Sequence, residues 1–81
     1  MAYDEDIAAR IAQLDDEIKS DSKNSSLFFA RGKLHWKLGN RGAAMSDFAT
    51  AVNLDPRSPA KEYLDMTRDI MDYYNTDLYN P

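Results

Sequence analysis

The 81-residue chain has no cysteine, one histidine and a net charge of −4, and each of these facts excludes a class of function. Without cysteine the chain has neither disulfides nor thiolate metal sites, and one histidine cannot form a multi-histidine site. We therefore expect no metal and no cofactor. Phosphate binding requires a basic surface, so we expect no nucleic-acid partner for this acidic chain.

The length predicts a single domain over residues 1–81 with a small core. No apolar run approaches the ~20 residues that a membrane span needs. The first residues, MAYDED, are acidic where a signal peptide would be basic, so we expect a cytoplasmic protein without membrane contact. The charge is uneven: residues 1–21 carry a net −5, residues 22–58 a net +4 and residues 59–81 a net −3.

The first predicted element is a helix over residues 5–20. Its apolar residues recur at helical spacing along one stripe, namely Ile7, Ile11, Leu14 and Ile18. Asp4 is a suitable cap for its start, and we expect its charged residues, including Asp15, to face water. The turn-forming residues DSKN at positions 21–24 end it.

A second helix is predicted over residues 25–38, with Asn24 as its cap and Gly39 at its end. Its apolar residues go most of the way around the helix, which predicts neighbours on several sides. The three faces are Leu27, Leu34 and Leu38; Phe28, Gly32 and His35; and Phe29, Lys33 and Trp36.

A third helix is predicted over residues 41–54, and Asp55-Pro56 ends it. Its apolar stripe is rich in alanine, which allows a partner helix to approach closely, and consists of Ala44, Met45, Phe48, Ala51 and Val52.

A fourth helix is predicted over residues 59–74, with Ser58 as cap and Pro59 at its first position. We expect it to bury Tyr63, Met66, Ile70 and Tyr73 or Tyr74, flanked by Leu64 and Met71. The tail over residues 75–81 is predicted to be non-helical, although Leu78 and Tyr79 could dock back. No segment alternates with the period of a strand, so the predicted class is all-α, with four antiparallel helices.

The two connectors at residues 21–24 and 55–58 have the same design, an acid, a small breaker, a base and a cap, and they lie 34 residues apart. The same offset pairs Ile11 with Met45, Leu14 with Phe48, Ile18 with Val52, Phe29 with Tyr63, and Trp36 with Ile70. A 34-residue period resembles that of the tetratricopeptide (TPR) repeat family.

Residues 25–58 resemble one full TPR repeat. The positions that match the family's signature are Phe28, Gly32, His35, Ala44, Phe48, Ala51 and Pro56. Two residues depart from it, because Arg31 replaces the usual leucine and His35 the usual tyrosine. We expect the stem of Arg31 to lie along the helix interface and its head to reach water.

The resemblance implies a fragment of a right-handed helical superhelix that binds proteins, with the first and fourth helices as caps. Both flanking helices lack the small residues that would admit another layer of repeats. The positions that match Ala44, Ala51 and Gly32 are Arg10, Glu17 and Met66.

Two features that suggest catalysis or metal binding have simpler interpretations. His35 occupies a position that is normally a packed aromatic and has no nucleophile pattern around it, so we expect a structural histidine. Consecutive helical residues such as Asp15, Asp16 and Glu17 point in different directions and cannot converge on one ion. We expect no enzyme, since the sequence has no nucleophile–base pair or glycine-rich phosphate loop.

The strongest candidate for a binding site is one side of the second helix. The resemblance places five residues on the inner groove that TPR proteins use for peptides, namely Ser26, Phe29, Lys33, Trp36 and Lys37. Two lysines between two aromatic rings would suit an acidic protein segment or a terminal carboxylate. The alternative is that the fourth helix covers Phe29 and Trp36, and that the lysines only solvate the edge.

A second hypothesis is self-association, because a chain with one full repeat has little core and pairing would bury more surface. The candidate contacts are Tyr63, Tyr73, Tyr74, Leu78 and Tyr79. The chain is then expected to be a monomer or a weak homodimer.

Overall fold

A computed structural model describes the backbone of residues 2–74 and the side chains of residues 4–68, and this part of the chain is helical with no strand. The helices are α1 (Ala2–Ser20), α2 (Ser25–Lys37), α3 (Arg41–Leu54) and α4 (Ala60–Tyr74). Each helix packs against the next one along the chain. The predicted all-α class with four helices is confirmed, and the bounds of α2, α3 and α4 differ from the prediction by at most one residue at either end.

The connectors between α1 and α2 and between α3 and α4 have matching hydrogen bonds. In each, the N–H of the first residue, Asp21 or Asp55, donates to the carbonyl four residues earlier at 2.9 Å. The N–H of the cap residue, Asn24 or Ser58, donates to the carbonyl of that first residue at 3.2 and 2.9 Å respectively. The similarity of sequence at a 34-residue offset therefore produces a similarity of geometry.

Two of the three predicted caps are present. The side-chain oxygen of Asn24 accepts the N–H of Ser26 at 3.0 Å, and Oγ of Ser58 accepts the N–H of Ala60 at 3.1 Å. The cap predicted for α1 is wrong, because the helix begins at Ala2 and Asp4 lies inside its first turn. From that position Asp4 complements the helix dipole instead of capping the helix.

The core lies where α3 meets α2 and α4. Its buried residues are Ala44, Phe48, Ala51, Ala60 and Leu64, with Phe28, Phe29, Trp36, Met45, Ala49 and Val52 packed against them. On the other side of α2, α1 buries Ile7 and Leu14. Leu14 and Phe48, which correspond at the 34-residue offset, are the two largest apolar side chains that the described part buries completely.

The predicted buried face of α4 is wrong by one residue position. The helix buries Ala60, Leu64 and Thr67, whereas Tyr63 is 36% exposed and Met66 is 43% exposed. Thr67 tolerates burial because its hydroxyl donates to the carbonyl of Leu64 at 2.8 Å. The side of α4 that packs against α3 therefore carries Ala60, Leu64 and Thr67, whereas Tyr63 and Met66 are partly exposed. The other predicted residues, Ile70, Met71, Tyr73, Tyr74 and the tail, lie outside the described side chains.

We expect Gly32→Ala to destabilise the fold by about 1–2 kcal/mol, because overpacking outweighs the better helix propensity of alanine. An added Cβ would lie 2.7 and 2.8 Å from ring atoms of Phe48, which is fully buried and cannot move aside. The matched control is Gly42→Ala, where no atom lies within 4 Å. It should be neutral or stabilise by up to about 1 kcal/mol. Urea unfolding followed by circular dichroism measures both, and equal effects would contradict the close contact.

A second comparison tests the caps. Asn24→Ala should cost about 1 kcal/mol, because it removes the acceptor for the N–H of Ser26. Asn40 stands at the start of α3 without a side-chain capping bond, so Asn40→Ala should cost only a few tenths of a kcal/mol. The same unfolding experiment distinguishes them, and an equal loss from the two asparagines would argue against the capping geometry.

Candidate functional site

A charged cluster of Arg31, Asp47 and Asp15 connects α2 to its two neighbours, α1 and α3. Nε and Nη2 of Arg31 donate to the two carboxylate oxygens of Asp47 at 2.8 and 2.7 Å, and its Nη1 donates to Asp15 at 2.9 Å. One guanidinium thus joins α1, α2 and α3. The prediction that the head of Arg31 reaches water is wrong, because three hydrogen bonds to carboxylates hold it between the helices. Asp15 is about half exposed, as expected, and also accepts one of these bonds.

The cluster is held by charge pairing inside the fold. Asp47 is only 5% exposed, and a buried carboxylate is costly unless charged hydrogen-bond donors face it. The pKa of Arg31 is raised, mainly by its hydrogen bonds to Asp47, with burial opposing the rise and Asp15 adding to it. Because this pKa is raised, the arginine keeps its positive charge until the pH rises above the ordinary arginine pKa, and its contribution to stability is lost only from there upward on the alkaline side.

His35 lies beside this cluster. Its Nε2 is 3.9 Å from a carboxylate oxygen of Asp47, and its side chain is 19% exposed. Its Nδ1 is buried and has no hydrogen-bond partner among the described residues. The ring is therefore packed inside the helix interface, as a structural histidine would be, and it does not line an open cleft.

The groove that we consider as the binding site lies between α1 and α2. It measures about 230 Å³ and is lined by Arg10, Leu14, Ala30, Lys33, Leu34 and Lys37. Ala30 and Leu34 are partly exposed and supply apolar surface, whereas Leu14 is only 1% exposed. The three long side chains supply positive charge. We call this surface the cationic groove.

The three cationic side chains of the groove differ in the contacts that they make with other residues. Nζ of Lys33 lies 4.5 Å from the centre of the Phe29 ring. Nη1 of Arg10 donates to the side chain of Gln13 at 3.1 Å and lies 4.0 Å from Glu17, with both members of that ion pair about half exposed. Lys37 is exposed and has no hydrogen-bond or ion-pair partner among the described side chains. Exposed contacts of this kind are weak, so the positive charge remains available to a ligand.

The structure brings together only part of the predicted site. Lys33 and Lys37 lie in the cationic groove, whereas Ser26 is exposed at the start of α2 and outside the lining. Sequence reasoning missed Arg10 as a site residue. The signal was present, because Arg10 matches the small Ala44 at the repeat offset and a long side chain there cannot be packed in the same way.

The aromatic members of the predicted site belong mainly to the core. The ring centre of Phe29 lies 5.2 Å from that of Tyr63 on α4 and 6.1 Å from that of Phe48. Trp36 packs against the core, with the guanidinium of Arg41 5.3 Å from its ring centre. The alternative was that α4 covers Phe29 and Trp36 of α2, and it is correct for Phe29.

A larger hollow of about 500 Å³ lies where α1 turns into α2. Its lining consists of Asp16, Glu17, Ser20, Asp21, Asn24 and Leu27. These are mostly exposed acids and turn residues, so the hollow is a solvated connector surface.

Among residues 4–68, no three histidine, aspartate or glutamate side chains are grouped so that they could hold a metal ion. Of the helices described, none has the length and apolar character that crossing a bilayer requires.

We expect Arg31→Met to cost about 3–5 kcal/mol, because it leaves the buried carboxylate of Asp47 without its partner. The matched control is Asp15→Asn, which removes only the half-exposed partner and should cost at most about 1 kcal/mol. Arg31→Met combined with Asp47→Leu should be less damaging than Arg31→Met alone, since no unpaired buried charge remains. Urea unfolding at neutral pH measures this cycle. If Arg31→Met were as mild as Asp15→Asn, the cluster would not support the fold.

Comparisons of this chain with protein-family models, with curated proteins and with solved structures give no match.

Proposed function

We propose that this protein is a non-enzymatic protein-binding module whose cationic groove holds an acidic, partly apolar segment of a partner. The observation that carries the proposal is the placement of Arg10, Lys33 and Lys37 around the apolar surface of Ala30 and Leu34. A segment with alternating carboxylates and apolar side chains would satisfy both parts of this surface.

The charge distribution favours a protein over a nucleic acid as the ligand. The positive charges of the cationic groove are few, and the chain as a whole carries a net charge of −4. Nucleic-acid binding requires a wide basic surface that neutralises many phosphates. A short acidic segment needs only the local charge of the cationic groove, together with the apolar contacts beside it.

We further propose that the chain is a divergent relative of the TPR family, with one full repeat over residues 25–58 and α1 and α4 as caps. Three features support this relation: the 34-residue offset, the matching hydrogen bonds of the connectors, and the close approach of α2 and α3 at Gly32. A right-handed superhelical path of the helices is part of the same proposal. Arg31 and His35 remain departures from the family pattern. Arg31 pairs with Asp47, and Nε2 of His35 lies 3.9 Å from the same carboxylate.

The affinity of such a site should be modest. Only three cations contribute, all on the surface of the fold, and exposed ion pairs are each worth about 0–1 kcal/mol. The apolar contacts with Ala30 and Leu34 must therefore supply part of the binding energy. Selectivity then depends on the spacing of carboxylates and apolar groups in the partner and not on charge alone.

We expect a fluorescent peptide of alternating glutamate and leucine to bind the wild-type protein, and Lys33→Glu with Lys37→Glu to weaken binding at least about tenfold. Fluorescence anisotropy at low salt measures the affinity, which should fall as salt is added. A peptide with glutamine in place of glutamate should bind much more weakly.

The matched control is Lys19→Glu with Lys23→Glu, which changes the net charge equally at two exposed lysines outside the cationic groove. This variant should retain most of the affinity. An equal loss in the two double variants would show that only the overall charge matters. Binding that is unaffected by either would refute the proposed site.

A further inference from the structure

The cationic groove continues into the solvated hollow where α1 turns into α2, which we call the connector hollow. On α1 the residues that line the two follow one another at intervals of three or four, as Arg10, Leu14, Glu17 and Asp21. On α2 they do the same, as Leu27, Ala30, Leu34 and Lys37. Residues at this spacing share one side of a helix. The two hollows therefore form one furrow along the seam between α1 and α2.

A direct contact joins the two halves of the furrow. Nη1 of Arg10, in the cationic groove, lies 4.0 Å from Oε2 of Glu17, in the connector hollow. Both side chains are about half exposed, and ion pairs of this kind are weak, so a ligand can engage either member. From Arg10 to Ser20 the helix rises about 15 Å, at about 1.5 Å per residue. An extended segment of about five residues would cover this distance.

The charge of the furrow changes sign along its length. One end carries the three cations of the cationic groove, and the other carries three acids, Asp16, Glu17 and Asp21. Among the described residues, no acid lines the cationic groove and no base lines the connector hollow. A ligand that follows the whole furrow therefore meets positive charge first and negative charge about three helical turns later.

The charges just outside the furrow do not reverse this order. Lys19 lies about 180° from Arg10 around the axis of α1, so it points to the opposite side of the helix. Lys23 is exposed in the connector and lies outside the lining. At the other end Asp6 is exposed one turn before Arg10, also outside the lining, and the three cations of the groove outweigh it. The lining residues thus set the sign of the charge at each end.

From this order of charges we propose that the furrow binds an extended segment of a partner protein that is acidic at one end and basic at the other. The acidic part lies at the cationic groove, and the basic part lies at the connector hollow, where its heads meet Glu17 and Asp21. Apolar side chains between them lie on Leu27 and Leu34, which are partly exposed. This inference rests on the proposed function, because the cationic groove is half of the furrow. A uniformly acidic segment that continued past the cationic groove would be repelled by Glu17.

Two occupants from the chain itself fit the furrow less well. A second copy offers the same furrow, which is concave, and two concave surfaces do not fill each other. The tail over residues 75–81 contains Asp77 but no lysine or arginine, so it has no partner for the connector hollow. A segment of another protein that carries both charges satisfies both ends of the furrow.

The test uses the full chain and three fluorescent peptides of equal length in which every second residue is leucine. The other positions are glutamates followed by lysines in the segregated peptide, the same glutamates and lysines in alternation in the mixed peptide, and glutamate throughout in the acidic peptide. Anisotropy at low salt should show that the segregated peptide binds at least about fivefold more tightly than either of the others, because only its order of charges matches the furrow.

Asp16→Lys with Glu17→Lys should reverse this preference. The segregated peptide should lose at least about fivefold in affinity, whereas the acidic peptide should gain, because Arg10 no longer has a competing carboxylate. The matched control is Glu62→Lys with Asp65→Lys, which makes the same charge change at two exposed acids of α4 outside the furrow. It should leave the order of the three affinities unchanged.

The outcomes separate this inference from the proposed function. If the acidic peptide fails to bind the wild-type protein, both are refuted. If it binds, but the segregated and mixed peptides bind equally or the α1 variant keeps the wild-type preference, only the order of charges is refuted. A concentration-dependent mass in sedimentation that the α1 variant abolishes would assign the furrow to a second copy instead. A fivefold gain in affinity for the segregated peptide from Asp77→Lys would assign its cationic end to the chain's own tail.

Discussion

The pairing of Arg31 with Asp47 is the interaction on which the rest of the arrangement depends. Its two parallel hydrogen bonds require the planar fork of a guanidinium and a carboxylate at a fixed angle, so they set the rotation of α2 about its axis as well as its distance from α3. The third bond of Arg31, to Asp15, extends this constraint to α1. Once α2 is held in this rotation, Phe29 faces the core while Lys33 and Lys37 face the cationic groove. A residue in the interior therefore positions the charges that we assign to binding.

Steric fit supplies the second constraint, and it acts at the next residue of each helix, where Gly32 meets Phe48. Gly32 lets α2 approach so closely that an added methyl group would overlap Phe48. Charge pairing and close contact support each other, because the ion pair at Arg31 can form only when the backbones are near enough for its fork to reach Asp47. A chain of 81 residues has a small core. The ion pair and the close contact together therefore define the geometry of the interface between α2 and α3, where apolar packing alone would leave more freedom.

Local sequence signals predicted the helices, their caps at Asn24 and Ser58, and the repeat of the connectors, because periodicity and capping depend on residues a few positions apart. Apart from the start of α1, the failures involve distant partners. Asp15 and Asp47 each lie 16 residues from Arg31, and nothing near Arg31 indicates that two carboxylates will face it. The buried side of α4 was misassigned because that helix has two apolar stripes, and the shape of α3 decides which of them is buried. In the same way the two lysines of the site were found from their spacing on one helix, whereas Arg10 belongs to another helix and only packing brings it near.

The cationic groove and the core share one support. Nζ of Lys33, in the cationic groove, lies 4.5 Å from the centre of the Phe29 ring, and that ring meets Tyr63 of α4 at 5.2 Å. Both rings lie close to Phe48, the largest fully buried side chain of the described part. One aromatic cluster therefore contacts a cation of the proposed binding site and also joins α2, α3 and α4. Because the same rings also fill the core, the site geometry and the stability of the fold depend on the same few contacts.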